Sequence, residues 1–354
     1  MALPIELIRE IIGHVLLAPP ATVPEEPSSY TTSKPQFSLI SSVSLACRTY
    51  RTLALEAWFQ ILFTESPADP AFIQKELPEI HGWTRKIHFS SPSHTLTSLT
   101  PWNFSGFRRL QAIRVDCPVF HHDHYFHVPS TVTELDMRAV SWPSPFVVQS
   151  IAILLPLLVN LRLSHRKIWC GLCHTCCVVK FAGTVPANLV YTGGLGLPIH
   201  YARALSSMPR LRAVSITLPY SLGAHITLDA KDPTHELWSG ECDRCVGIMY
   251  EDQAFRERWI ARKKGEPGFG SPGDSAERLY IKPPALETVE WCFWRRDDEA
   301  KDEDDEEDNE EPGDDEDEDE DEDDEEDNKE LGYDDVHHSD EDDDHDNSES
   351  DGAE

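Results

Sequence analysis

From residue 83 onward, a short motif of the form apolar-x-x-apolar-x-apolar keeps returning, and its spacing narrows what the chain can fold into. The units are Thr84/Ile87/Phe89, Leu110/Ile113/Val115, Val132/Leu135/Met137, Leu158/Leu161/Leu163, Pro186/Leu189/Tyr191, Leu211/Val214/Ile216 and Leu286/Val289/Trp291, of which the first and fifth are weak. The middle positions lie 26, 22, 26, 28, 25 and 75 residues apart. Apolar residues alternating with polar ones mark a strand with one face buried. A single unit of this size cannot bury that face, whereas a stack of them, each strand followed by a return segment, can. The pattern therefore predicts an α/β body of stacked strands. The competing reading is a general α/β domain whose strands happen to be evenly spaced.

All intervals but the last fall in the roughly 20–29-residue period of leucine-rich repeats, so the fold class expected over 80–296 is an irregular leucine-rich-repeat-like α/β solenoid. A regular Asn or Cys ladder position is absent from the units. Helical returns are expected at Phe146–Leu157 and Ile199–Ser207. The long interval holds an insertion at 221–283, with a charged helical stretch at Tyr250–Lys264 and a Pro/Gly-rich loop at Gly265–Gly273. Gly193-Gly194-Leu195-Gly196 lacks the Lys-Ser/Thr of a phosphate loop and reads as a turn before the Ile199 helix.

Ahead of this body lies a different period. Leu3, Leu7, Ile8, Ile11, Ile12, Val15 and Leu16 follow a helical face with Glu6, Arg9 and Glu10 opposite, Pro4 suits the first turn, and Pro19-Pro20 stop the helix. Residues 18–36 are rich in Pro, Ser and Thr and read as a flexible loop. Helical spacing resumes from Leu39 to Leu62, with a break expected near Ser44, so that 1–65 forms a helical module.

The motif Leu3-Pro4-x-Glu6-Leu7-Ile8 with the apolar pair Ile11-Ile12, followed by Leu45, Cys47-Arg48, Tyr50 and Arg51, resembles an F-box. The spacer between the two halves is longer than usual, and one extra residue separates Leu45 from Cys47. The resemblance covers about 60 residues and implies a helical docking module for a Skp-type adaptor, with Leu3, Pro4, Leu7, Ile8, Ile11, Ile12, Leu45, Cys47 and Tyr50 at the matching partner-binding positions. Fungal F-box proteins with degenerate leucine-rich-repeat-like bodies share this layout.

The net charge of −33 belongs to one end of the chain. Residues 297–354 carry 38 Asp/Glu and 2 Lys, which leaves 26 acids and 29 bases for the rest. Such a tail has almost no apolar surface to offset chain entropy and is expected to be disordered. The plain reading is a solvated extension that aids solubility; as a functional element it would attract basic proteins and repel nucleic acid.

The start has no basic n-region, so no signal peptide is read and the cysteines are expected as thiols or metal ligands. Cys170-Gly-Leu-Cys173 and Cys242-Asp-Arg-Cys245 each place two thiols at the spacing of one edge of a zinc tetrahedron, with His174 a spare ligand. The pairs are farther apart than in a zinc ribbon, and the plain alternative is that these are small buried hydrophobes. The expected cofactor is none, with zinc at these pairs the open alternative. His121, His122, His124 and His127 read as a solvated loop. The longest apolar stretch, Phe146–Leu161, is short for a bilayer and holds Pro156 and Asn160, so no membrane partner is expected.

No phosphate loop or nucleophile elbow is present, and an enzyme is not expected. What the resemblance implies is a substrate-receptor subunit of a Skp–cullin–F-box ubiquitin ligase, cytoplasmic or nuclear, recruiting an unknown protein target. The alternative is an acidic-tail chaperone or scaffold that binds basic proteins without recruiting a ligase.

Overall fold

The apolar positions that set the interval in the sequence become a ladder in space. In the computed structural model Ile87, Ile113, Leu135, Leu161, Val214 and Val289 stand side by side on neighbouring parallel strands, and Phe89, Val115, Met137, Leu163, Ile216 and Trp291 form a second row two residues on. All of them are buried. The first positions of the same units, Leu110, Val132, Leu158, Leu211 and Leu286, are buried too, where each chain segment enters its strand. The structure describes residues 3–17, 32–66, 68–90, 102–116, 126–140, 143–183, 185–186, 188–228, 238–264 and 284–295. All of these belong to one compact unit, Met1–Glu303. The acidic tail, Cys117, most of the histidine cluster, the spacer at 18–31 and the Pro/Gly-rich loop lie outside the described residues.

Three helices come first, α1 (Ile5–Leu17), α2 (Ser38–Ala46) and α3 (Arg48–Trp58), and then β1 (Ile61–Thr64). Two short helices, α4 (Ala68–Glu76) and α5 (Ile80–Trp83), lead to β2 (Lys86–Ser90), β3 (Trp102–Asn103), β4 (Ala112–Asp116), β5 (Phe126–His127) and β6 (Glu134–Val140). Helix α6 (Pro145–Leu154) returns the chain to β7 (Asn160–His165), after which come β8 (Ile168–Trp169), β9 (Cys176–Cys177), β10 (Val179–Phe181) and β11 (Asn188–Tyr191). Helix α7 (Ile199–Leu205) precedes β12 (Ala213–Leu222), helices α8 (Asp243–Glu251) and α9 (Gln253–Lys264), and β13 (Thr288–Arg295).

The main sheet has nine strands among the described residues, in the order β1-β2-β4-β6-β7-β12-β13-β11, with β10 beside the far end of β12. Every pairing in it is parallel except β11 with β13. The α/β class and the stacking of successive parallel strands agree with the sequence. The irregular leucine-rich-repeat-like solenoid is corrected to a mostly parallel sheet. The unit at Pro186/Leu189/Tyr191 does not enter the stack: β7 pairs directly with β12, and β11 turns back antiparallel on β13, setting Leu189 opposite Trp291 and Tyr191 opposite Val289. The return segments differ as well, since α6 and α7 are helical while β3–β5 and β8–β9 form two-stranded ladders. Units with unlike returns cannot repeat one geometry.

Two boundaries also move. Ile61 and Leu62 continue the helical spacing of α3 in the sequence, yet they begin β1, where Leu62 stands beside Ile87. The break expected near Ser44 falls at Cys47, a single extended residue between α2 and α3 whose sulfur accepts from the Tyr50 N–H at 3.5 Å. The expected returns are present as α6 and α7, with Ser144 capping α6 and Pro145 in its first turn. Gly193 and Gly194, at φ 74 and 77, make the turn ahead of α7. Among the described residues no helix is long and apolar enough to cross a membrane.

Alternation along β7 gives a direct test. Leu161→Ala removes a side chain that is 1 % exposed and should cost about 2–5 kcal/mol in urea unfolding. Arg162→Ala, on the opposite face of the same strand, should stay within about 0.5 kcal/mol. Equal losses at the two positions would mean that the ladder is not what holds the strand.

Candidate docking face and candidate metal centre

Helix α1 carries two apolar stripes. Ile8, Ile12 and Leu16 are buried in a small core with Ile40, Leu53 and Ala54, against which Val43, Tyr50, Ala57 and Trp58 pack. The second stripe does the opposite. Leu7, Ile11 and Val15 follow one another at four-residue spacing and are 45 %, 53 % and 44 % exposed, and Leu3 and Ile5 at the helix start are exposed too. Glu6 in the first turn and His14 in the last suit the helix dipole, and Arg9 reaches Glu56 of α3 at 3.1 Å. The helix is therefore held from one side only.

The positions matched to an F-box divide along this line. Leu3, Pro4, Leu7, Ile11, Leu45 and Cys47 are exposed, Leu45 at 81 %. Ile8 and Ile12 pack inside the module, as some of the matching positions must, and Tyr50 is half-buried against the same core. The helical period alone does not say which of two adjacent stripes faces inward. Exposed Ile5, Val15, Phe37 and Leu39 were not expected at the face; their signal was the second four-residue stripe on α1 and the apolar start of α2.

Trp58 joins this module to the sheet, since it packs on both cores. Its ring meets Phe37 and Phe59 edge-on, the Lys34 ammonium sits 3.3 Å over it, and its Nε1–H donates to the Pro35 carbonyl at 2.9 Å. Next to it, Ser33 ties onto the sheet. His88 Nδ1 accepts from the Ser33 N–H at 3.0 Å and lies 3.0 Å from Ser33 Oγ, while His88 Nε2 lies 2.8 Å from Asp116. Arg114 grips both Asp116 oxygens at 2.9 and 2.7 Å. The residue types are those of a nucleophilic triad, but the wiring is that of a strap. A backbone N–H already fills the imidazole's acceptor nitrogen, and His88 is fully buried. Burial lowers the pKa of His88 despite its bond to Asp116. Burial opposes the Asp116 charge, but the bonds from His88 and Arg114 outweigh it and hold the carboxyl below its ordinary range.

The sheet face opposite the core is polar. In register across it run His88, Arg114, Asp136, Arg162, Ser215 and Glu290. Arg162 is exposed, and Asp136, Ser215 and Glu290 are half-buried. Opposite charges alternate along part of this row, and Arg138 adds a 3.2 Å contact to Asp136.

The two Cys-x-x-Cys pairs, 69 residues apart, meet. The sulfurs of Cys170, Cys173, Cys242 and Cys245 all lie within 4.8 Å of one another. Cys170 and Cys173 belong to the turn between β8 and β9; Cys242 caps α8 and Cys245 sits in its first turn. The Cys242 thiol donates to Cys170 and, with backbone N–H groups of Cys173, Cys242 and Leu172, pulls its pKa down to about 5 against the effect of burial. That same bond pushes Cys242 up, and burial pushes Cys245 up. Of the outlying candidates, His174 is exposed, at φ 57, with Nδ1 2.9 Å from Nε2 of His200, and Cys177 comes within 3.7 Å of Cys173. Among the described residues the cysteines are free.

Beside this cluster lies a feature that sequence reasoning missed. Glu241 is buried and accepts from Ser239 N–H at 2.7 Å, Ser239 Oγ at 3.0 Å, Trp259 Nε1 at 2.9 Å and Lys263 Nζ at 2.7 Å. Burial raises its pKa, but Lys263 and these donors more than reverse that, so the carboxyl sits below its ordinary range. In the sequence, Lys263 is one of three basic residues ending α9 and carries no sign of burial.

No protein-family model matches the chain, and no curated protein matches it.

The buried carboxylates predict acid lability. A carboxyl held low when folded contributes stability that is fully present above the unfolded pKa of about 4.3 for Glu and 3.9 for Asp, and that is lost as pH falls through the folded value. Thermal stability should therefore fall below about pH 4. Glu241→Gln, which leaves Lys263 buried without a counter-charge, should cost about 3–5 kcal/mol at neutral pH and flatten the acid decline. A wild-type-like profile in this variant would show that the ion pair is not coupled to folding.

Proposed function

We propose that the chain is a substrate-receptor subunit of a Skp–cullin–F-box ubiquitin ligase, docking through its N-terminal helices and holding a protein target on its sheet-bearing body. The observation that carries this reading is the second apolar stripe of α1. A helix that only capped the neighbouring sheet would turn its apolar residues inward, whereas Leu7, Ile11 and Val15 face solvent beside a core that is already filled by Ile8, Ile12 and Leu16. An apolar helical stripe laid against a partner's groove is a sound docking mode. Leu3 and Pro4 extend the stripe at its start, and Leu45 and Cys47 at the α2–α3 break supply further exposed contacts.

In this reading the mostly parallel sheet is the platform, and its polar row around Asp136, Arg138, Arg162 and Glu290 meets the target. Side chains at fixed spacing on strands form a rigid recognition surface. The chain then acts by proximity, holding target lysines near a separate ligase catalyst, and forms no covalent bond itself.

Leu7→Asp combined with Ile11→Asp should abolish co-purification of a Skp-type adaptor while leaving the unfolding transition in place, because both positions are exposed. Burying two carboxylates in an apolar contact should cost on the order of 2–5 kcal/mol of binding. Ile8→Asp should instead unfold the helical module. Adaptor binding that survives the double substitution would remove this reading.

A further inference from the structure

We propose that Cys170, Cys173, Cys242 and Cys245 hold one zinc ion in a closed tetrathiolate site, and that this ion clamps α8 and α9 to the β8–β9 turn. The inference is independent of the docking reading and uses different residues.

Geometry is the first support. Four sulfurs bound to one zinc at about 2.3 Å would lie roughly 3.8 Å apart along each edge of the tetrahedron. Cys173 and Cys242 are 3.9 Å apart, and all four sulfurs fall within 4.8 Å of one another. A modest contraction around an ion closes the site.

The backbone around the sulfurs is the second. The two pairs are tied to each other through the main chain as well as through sulfur. Cys170 takes the N–H of Cys242, at 3.4 Å. That bond sets the start of α8 directly against the β8–β9 turn and orients both cysteine pairs toward one point.

The third support weighs against the plain reading of these residues as core filling. Cys170, Cys242 and Cys245 form their own buried cluster, separate from the main core, with Leu172 and Cys177 as half-buried neighbours. Apolar packing alone gives no reason for four thiols to gather on one another. Four thiolates select a soft or borderline ion such as zinc over magnesium or calcium, and four protein ligands leave no position for water. The site is thus structural.

The ion would add a tie to this region beyond its buried residues Trp238, Val246 and Trp259. The β8–β9 ladder is two residues long on each side, and α9 presents a largely charged sequence. Asp243 anchors the start of α8 to the N–H groups of His225 and Ile226, and Glu241 binds Lys263 of α9. The clamp joins these contacts to the β8–β9 turn.

The test is metal analysis of the full chain purified without chelator under reducing conditions. The expected content is about one zinc per chain, with cobalt replacing it to give the spectrum of a tetrahedral tetrathiolate. Cys242→Ser with Cys245→Ser should lose the ion, whereas Cys177→Ser, whose sulfur lies near Cys173 but outside the four, should keep it. Stripping the ion should speed amide exchange at least tenfold in 168–177 and 242–251 while the central strands stay protected. A wild-type chain that binds neither zinc nor cobalt overturns the proposal, and so does iron found in place of zinc or a disulfide among the four cysteines. Loss of the ion in Cys177→Ser overturns this ligand set. If the double variant is insoluble, the wild-type metal content and cobalt spectrum still decide.

Discussion

The structure depends on the register between parallel strands. Ile87, Ile113, Leu135, Leu161, Val214 and Val289 occupy one line across the sheet, so each strand places its apolar residues where its neighbours have placed theirs. A shift by one residue would turn every one of these side chains to the polar face and carry His88, Arg114 and Asp136 into the core. That penalty, repeated at each strand, fixes the body. It also sets the place of the N-terminal helices, because β1 begins three residues after α3 and Leu62 joins the same row beside Ile87. The junction is then closed by Trp58, shared between the two cores, and by the Ser33 tie to His88.

This register was legible in the sequence because it needs only short-range information. The spacing within each apolar unit gives the strand, and the interval between units gives the stack. The unit at 186–191 shows where the information ends. Its apolar pattern is weak but real, as Leu189 packs half-buried and Tyr191 is buried. What the pattern does not encode is direction, and β11 runs back along β13 after β7 has paired directly with β12. Strand order beyond nearest neighbours depends on the return segments, whose irregular sequences carry little signal.

The candidate sites divide in the same way. Cysteine spacing identified the two pairs, and the fold brought them together across 69 residues. On α1 the period marked every apolar position, yet the split into Ile8/Ile12 inside and Leu7/Ile11 outside required knowing what α2 and α3 cover. The Glu241–Lys263 pair was beyond reach, because a charged residue becomes a buried partner only through contacts distant in sequence. Arg114 and Asp116 lay between the two extremes: alternation places them on one strand face, but their tie to His88 depends on the parallel pairing of β2 with β4.

The part of the chain inserted between β12 and β13 poses a separate physical problem. It leaves the ladder, so the register that stabilises the sheet cannot stabilise it. Helix α9 buries Trp259, Ala261 and Lys263, with Phe255 and Ile260 half-buried and most of its remaining positions charged or polar. An internal ion pair holds its far end, but a buried pair gains little net stability once the cost of desolvating both charges is counted. Sulfur ligands bound to a metal differ in this respect, since metal binding contributes folding free energy directly and needs no large core. The segment also places Ile226, Leu228, Trp238 and Val246 in the main core, so a metal bound at the four gathered thiols, as proposed, would add to that burial at the start of α8.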